Sequence, residues 1–134
     1  MSPDEIAALP SFSFGDSPEM ANRLLALVIA GTKTASCGPL RDLGAQDSEE
    51  PMPLVGHRYV VKDGQGRPAA IIETREVTIC RFDEITEDFA LDEGEGNFSA
   101  WREGHKAFFE RNGGWSPDMQ IVCERFRLVE VLAR

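Results

Sequence analysis

The sequence has no apolar run approaching the roughly 20 residues that a membrane-spanning helix requires, and its N-terminus carries no basic segment followed by an apolar stretch. Both absences point away from membranes and secretion, so no membrane partner is expected and the expected location is cytoplasmic. Cysteine is scarce. Cys37, Cys80 and Cys123 are odd in number and far apart, which argues against a disulfide framework and against a paired-cysteine zinc site. Cys80 and Cys123 read as strand residues, and Cys37 as small apolar filler or a reactive thiol. Basic residues are outnumbered, 14 Lys and Arg against 23 Asp and Glu, and the net charge of -9 repels a polyanion. Long-duplex binding is therefore disfavoured, while a nucleoside or a short single strand in one local pocket suits an acidic protein.

What is present fits one globular domain: 134 residues, 42% of them hydrophobic. Residues 1–11 read as a flexible lead-in, and 41–53 as an acidic surface loop carrying Asp42, Asp47, Glu49 and Glu50. A first helix is capped by Asp16 or Ser17, opens on Pro18, repeats Met20, Leu24, Leu27 and Val28 at helical spacing, and stops at Gly31. The turn Asp63-Gly64-Gln65-Gly66 joins a strand around 58–62 to a longer one over 69–79, which makes a hairpin. Between Phe82 and Asn112 the spacing turns helical, with Ile85 and Phe89 in one short helix and Trp101, His105, Phe108 and Phe109 in a second. Met119 to Leu132 reads as a last strand whose apolar parity changes between Ile121/Cys123 and Phe126/Leu128, the mark of a bulge. Strands at both ends with helices inserted between them favour an α+β domain or a small barrel with helical decorations.

Chemistry concentrates in a few places. Gly31-Thr32-Lys33-Thr34-Ala35-Ser36 sets a lysine among hydroxyls where a helix ends; such a lysine binds an anion or, if its charge is suppressed, activates a nucleophile. The plainer reading is a turn into a strand. Asp92-Glu93-Gly94-Glu95-Gly96 is an acidic loop whose glycines can turn carboxylates toward a cavity; it lacks the ligand pattern of a calcium loop, and no metal or other cofactor is expected. Alternation along Ile71–Ile79 puts Glu73 on an apolar face, where it needs a charged partner such as Arg75 or Lys33, or a pocket. Trp101 and His105 share a helix face, either as core packing or to stack on and bond to a base.

In this order, Gly31-Thr32-Lys33-Thr34, Val55-Gly56, Ile71-Ile72-Glu73-Thr74, Asp92-Glu93-Gly94-Glu95-Gly96, Trp101-Arg102-Glu103-Gly104-His105 and Met119 to Phe126 resemble the ASCH domain family of the PUA-like superfamily. The resemblance implies a small β-barrel with helices around one cleft. It also implies a protein that binds RNA or a modified nucleoside, with three alternatives within the family: an amidohydrolase acting on N4-acetylcytidine-like substrates, a ribonuclease acting on single-stranded RNA, or a non-catalytic RNA-binding module. By position, the lysine, hydroxyl and glutamate of the amidohydrolases fall on Lys33, Ser36 and Glu93, while Thr34 matches a further threonine of the motif. Glu73, Glu95, Trp101 and His105 are then candidates for contacting substrate. The usual arginine of the motif is replaced by Gly38. Chemically, Lys33 would serve as base for Ser36 only if the segment bends and the lysine is neutral, and Glu93 would act as an acid only if its proton affinity is raised.

Overall fold

The computed structural model describes residues 1–43 and 51–134. Its centre is a five-stranded mixed sheet in the order β1-β3-β4-β5-β2, built from β1 (Ser11–Phe12), β2 (Ala35–Pro39), β3 (Arg58–Lys62), β4 (Pro68–Arg81) and β5 (Gln120–Val131). β1 pairs parallel with β3, and the other neighbours are antiparallel. Among the described residues four α-helices flank it: α1 (Pro3–Ala7), α2 (Pro18–Ile29), α3 (Glu87–Asp92) and α4 (Phe98–Arg111). Among the described residues β1 and β2 stand at opposite edges, so the sheet is open and the closure expected of a barrel is not among their pairings.

α2 follows its sequence signals closely. Ser17 accepts the Met20 N–H in the capping position and Pro18 opens the helix. At the other end the N–H of Gly31 bonds the Val28 carbonyl and that of Thr32 the Leu27 carbonyl, with Gly31 at φ 81. This is the Schellman closure, and its left-handed residue suits only glycine among common choices. It turns the chain so that the Lys33 N–H also bonds back to the Leu27 carbonyl, at 3.0 Å.

The acidic loop 41–53 lies partly outside the described residues; its described flanks include a short 3-10 turn at Leu40–Asp42. In the lead-in, Pro3–Ala7 form a helical turn and Ser11–Phe12 add to the sheet edge. One further boundary differs from expectation: α3 begins at Glu87, so Ile85 is buried just ahead of the helix rather than in it.

β4 and β5 are long enough to serve two cores. Leu24, Leu25 and Val28 of α2 pack with Tyr59, Val61, Ile72 and Phe126. Phe89 of α3 with Trp101 and Phe109 of α4 pack with Ala35, Ile121 and Cys123. The expected parity change is present, but the extra residue is on the partner: Thr74 pairs with Phe126 and Glu76 with Arg125, leaving Arg75 unpaired on β4. This bulge breaks the alternation read along 71–79, so Ile79 is half exposed while Ile72 and Thr74 are buried.

Candidate functional site

Lys33 follows the α2 stop, and the 92–96 loop folds onto it. Thr34 N–H bonds the Asp92 carbonyl at 2.8 Å. Gly94, at φ 76, passes so near Thr32 that a Cβ would lie 2.8 Å from the Thr32 carbonyl oxygen; only glycine fits there. Arg125 of β5 ties the loop down through Asp92. The result brings Glu93 and Glu95 to a lysine 60 residues away in sequence.

The Lys33 ammonium donates to Glu93 Oε1 at 3.1 Å, to the Glu93 carbonyl at 3.4 Å and to Glu95 Oε2 at 3.2 Å. These contacts use all three of its protons. The Phe14 ring lies 5.4 Å from the ammonium. Glu93 Oε2 accepts the Trp101 indole N–H at 2.8 Å, and its Oε1 lies 3.4 Å from His105 Nε2. His105 Nδ1 is 2.8 Å from the Trp101 carbonyl. Both ring nitrogens thus face acceptors, an arrangement satisfied in full only by the doubly protonated imidazolium.

Lys33 and Glu93 are almost wholly buried, at 2% and 1% exposure. Burial works against the charge of Lys33, but Glu93 and Glu95 outweigh it and raise its pKa above the ordinary lysine value. Burial likewise pushes Glu93 up, and Lys33, His105 and Trp101 overcome it, holding the carboxyl down to about 2. Burial lowers His105, whereas its Glu93 contact raises it further, for a net rise. The resting site therefore keeps the ammonium of Lys33 and the carboxylate of Glu93, and both contacts of His105 favour its imidazolium. Cys37 stays a neutral thiol, pushed well up by burial and then by Glu93.

Two cavities meet over this cluster. One, of about 600 Å³, opens between the start of α2 and α4 and is lined by Lys33, Glu93, Glu95, Trp101 and His105. The other, of about 490 Å³, is walled largely by Phe12, Phe14, Tyr59 and Phe108, with Glu124 and Arg41 among its polar residues. Phe14, Ser36, Cys37 and Phe108 line both, so the two make one continuous cleft.

Of the residues singled out in the sequence, Lys33, Glu93, Glu95, Trp101 and His105 come together. Ser36 lines the cleft where the two cavities meet, and the hydrogen bonds of Lys33 go to the glutamates rather than to it. Thr34 is exposed; its N–H and hydroxyl donate to the Asp92 carbonyl, and its own carbonyl accepts from the Phe126 N–H. Glu73 lies apart from both cavities and pairs with Arg58 at 3.3 Å and Arg127 at 3.2 Å, not with Arg75 or Lys33. Trp101 is sandwiched between His105, centroids 4.4 Å apart, and Phe82, 5.5 Å apart. Both ring faces are occupied, and what Trp101 offers the site is its N–H to Glu93.

Sequence reasoning missed Arg41 and Glu124. Arg41 reaches the cleft from the 3-10 turn three residues beyond Gly38, where the family motif has its arginine, and donates to the Gly114 carbonyl at 2.7 Å. For metal chemistry, Cys37, Glu93 and His105 place donor atoms within 4.8 Å of one another. A cation there would have to displace the thiol proton of Cys37 and compete with Lys33 for Glu93.

Comparison with known proteins fits this arrangement. A family model described as the ASCH domain matches residues 10–130. A solved ASCH domain from Lactobacillus crispatus is 33% identical, with TM-score 0.80, over 96% of this chain and 86% of that one. A protein of Enterococcus faecalis assigned to a family of unknown function is 38% identical, with TM-score 0.79, over 90% of this chain and 76% of that one. The ASCH protein of Zymomonas mobilis shares the fold at 11% identity and TM-score 0.55, over 92% of this chain and 71% of that one. No curated protein matches in sequence. With its open mixed sheet, its four helices and a buried lysine–glutamate cluster under one cleft, the chain belongs to the ASCH domain family.

Proposed function

We propose that the cleft binds a nucleoside, free or at the end of a single-stranded RNA, and hydrolyses an amide carried on its base, as in an N4-acetylcytidine-like substrate. The observation that carries this reading is the burial of Lys33 and Glu93, with His105 partly buried beside them, on the floor of an open cavity. Taking ions out of water costs several kcal/mol each unless they are paired and hydrogen-bonded, and perturbed titrations gather at functional sites. Here both occur where a ligand has access.

The charge states suggest the division of labour. Ammonium Lys33 suits an amide carbonyl oxygen as negative charge develops on it. Carboxylate Glu93 is an acceptor for a proton from an attacking water, and imidazolium His105 is a donor to the leaving nitrogen. The water oxygen joins the acyl carbon, the C–N bond breaks, and a carboxylic acid and the free base amine depart. In this scheme Ser36 contacts substrate at the junction of the cavities. A serine nucleophile would need Lys33 first to lose a proton that Glu93 and Glu95 retain.

Recognition without turnover is the second reading, favoured by the engagement of every Lys33 proton. Mass-resolved turnover of N4-acetylcytidine by wild type beside Lys33→Ala separates the two. Cytidine released by wild type alone is the expected result. No cytidine from folded protein at high concentration removes the amidohydrolase, and cleavage of a short single-stranded RNA in the same assay replaces it with a ribonuclease.

A further inference from the structure

We propose that Cys37, Glu93 and His105 form a binding site for a zinc ion whose fourth position opens into the 600 Å³ cavity. The site stands apart from the nucleoside reading above; only its effect on turnover rests on that reading.

The three residues come from three elements: Cys37 from β2, Glu93 from the C-terminal cap of α3 and His105 from α4. Each offers one ligand atom, and these atoms lie within 4.8 Å of one another, the only such group among the described residues. Thiol sulfur, imidazole nitrogen and carboxylate oxygen together suit zinc, whereas calcium and magnesium take oxygen ligands. The spacing is close to that of a coordinated ion. Two ligands bonded to tetrahedral zinc at about 2.0–2.1 Å stand about 3.3–3.4 Å apart, and His105 Nε2 lies 3.4 Å from Glu93 Oε1. Sulfur, bonded at about 2.3 Å, would stand about 3.6 Å from each, so Cys37 Sγ has to close a gap of no more than about 1.2 Å.

The ligands of a zinc ion are themselves held by outer partners, a histidine through its second ring nitrogen and a carboxylate through further hydrogen bonds. Here Trp101 supplies both. Its carbonyl lies 2.8 Å from His105 Nδ1, and its indole N–H donates to Glu93 Oε2 at 2.8 Å. The two atoms left facing each other are the ones that would bind the metal. Charge also balances. Coordination releases one proton from the Cys37 thiol and one from the His105 imidazolium, which offsets the two charges of the ion. Lys33 yields part of Glu93 Oε1 and keeps the Glu93 carbonyl and Glu95. All three ligands line the same cavity, which gives the ion a way in and leaves its fourth position to water or a ligand. Bound zinc would occupy the two groups to which amide hydrolysis assigns its proton acceptor and donor, so it is expected to stop turnover.

Titration of tag-free wild type with Co²⁺, a coloured stand-in for zinc, tests the assignment. A thiolate-to-cobalt charge-transfer band is expected in the near ultraviolet, together with the visible bands of a tetrahedral ion, and Zn²⁺ should displace both. Cys37→Ser should abolish the charge-transfer band and weaken Zn²⁺ binding by more than the roughly 10–100-fold typical of losing an outer partner. Cys80→Ser is the control, since Cys80 lies outside both cavities with its sulfur 3.8 Å from that of Cys123; band and affinity should be unchanged. No band in wild type, or a band that survives Cys37→Ser, overturns the site. Should Cys37→Ser fail to fold, anomalous scattering from wild-type crystals soaked with Zn²⁺ decides the matter. The ion is expected within about 2.0–2.4 Å of Cys37 Sγ, Glu93 Oε1 and His105 Nε2, and zinc found only elsewhere contradicts the proposal. Zinc bound here while N4-acetylcytidine is still turned over undiminished would contradict the roles given to Glu93 and His105 and leave the zinc site standing.

Discussion

Asp63 and Glu93 are both buried carboxylates, and both are held at a pKa of about 2. Their surroundings differ. Asp63 clasps the β3–β4 turn: burial pushes its carboxyl up, but the N–H groups of Arg67 and Gln65 and the guanidinium groups of Arg134 and Arg67 pull it down further. It lines neither cavity of the cleft. Glu93 is paired with as much care, by Lys33, Trp101 and His105, but its partners form the floor of the 600 Å³ cavity. A buried, well-bonded carboxylate is therefore not in itself a functional signal. What distinguishes Glu93 is that its partners are proton carriers within reach of a ligand.

The comparison breaks hardest at Lys33. Lys33→Ala leaves Glu93 buried beside a single remaining cationic partner, His105, and removing one member of a buried pair costs about 3–5 kcal/mol. Urea unfolding should show a loss of that order, and turnover of N4-acetylcytidine should vanish. Next come matched neutralisations. Glu93→Gln should lower turnover per folded molecule by about 10²–10⁴-fold, the usual reach of general acid–base catalysis. Asp63→Asn should lower the melting temperature and leave turnover per folded molecule unchanged; an equal loss in both variants would erase the distinction drawn here.

A smaller effect is expected with pH. The folded protein binds the His105 proton more tightly than the unfolded chain does. The stabilisation this supplies is complete below the unfolded value of about 6.5 and is lost as pH rises through the higher folded value. The melting temperature of wild type should fall across that window relative to His105→Gln, and a parallel pair of curves would show that His105 is not held as the imidazolium. Smallest of all, Thr34→Ala should change stability by no more than about 0.5 kcal/mol in the same urea measurement, since Thr34 is exposed and its hydroxyl makes one long bond, at 3.4 Å.

Local signals were legible wherever local physics decided the outcome. Ser17, Pro18 and Gly31 delimit α2 as their chemistry requires, and the glycines after Asp63 make the expected hairpin turn. Long-range pairing was less accessible. The extra residue Arg75 belongs to a register between β4 and β5 that alternation within one strand does not contain, so the apolar face that alternation assigns to Glu73 gives way to its pairing with Arg58 and Arg127. The lysine–glutamate cluster was visible through family resemblance, which carried Lys33 and Glu93 together across 60 positions. Glu124 gave no such sign. Its place depends on the β2–β5 register opposite Ser36, and the nearest hint was the broken parity of the last strand.

The central claim is that a nucleoside sits on the Lys33–Glu93–His105 floor, and the indole N–H of Trp101 reports on that floor through its bond to Glu93. The chain has two tryptophans, and the second, Trp115, lines neither cavity of the cleft, which gives the experiment an internal control. In a nitrogen–proton correlation spectrum titrated with cytidine, the Trp101 indole signal should move saturably while that of Trp115 stays in place. A Trp101 signal that does not move, or one that moves only in step with Trp115, would contradict the account.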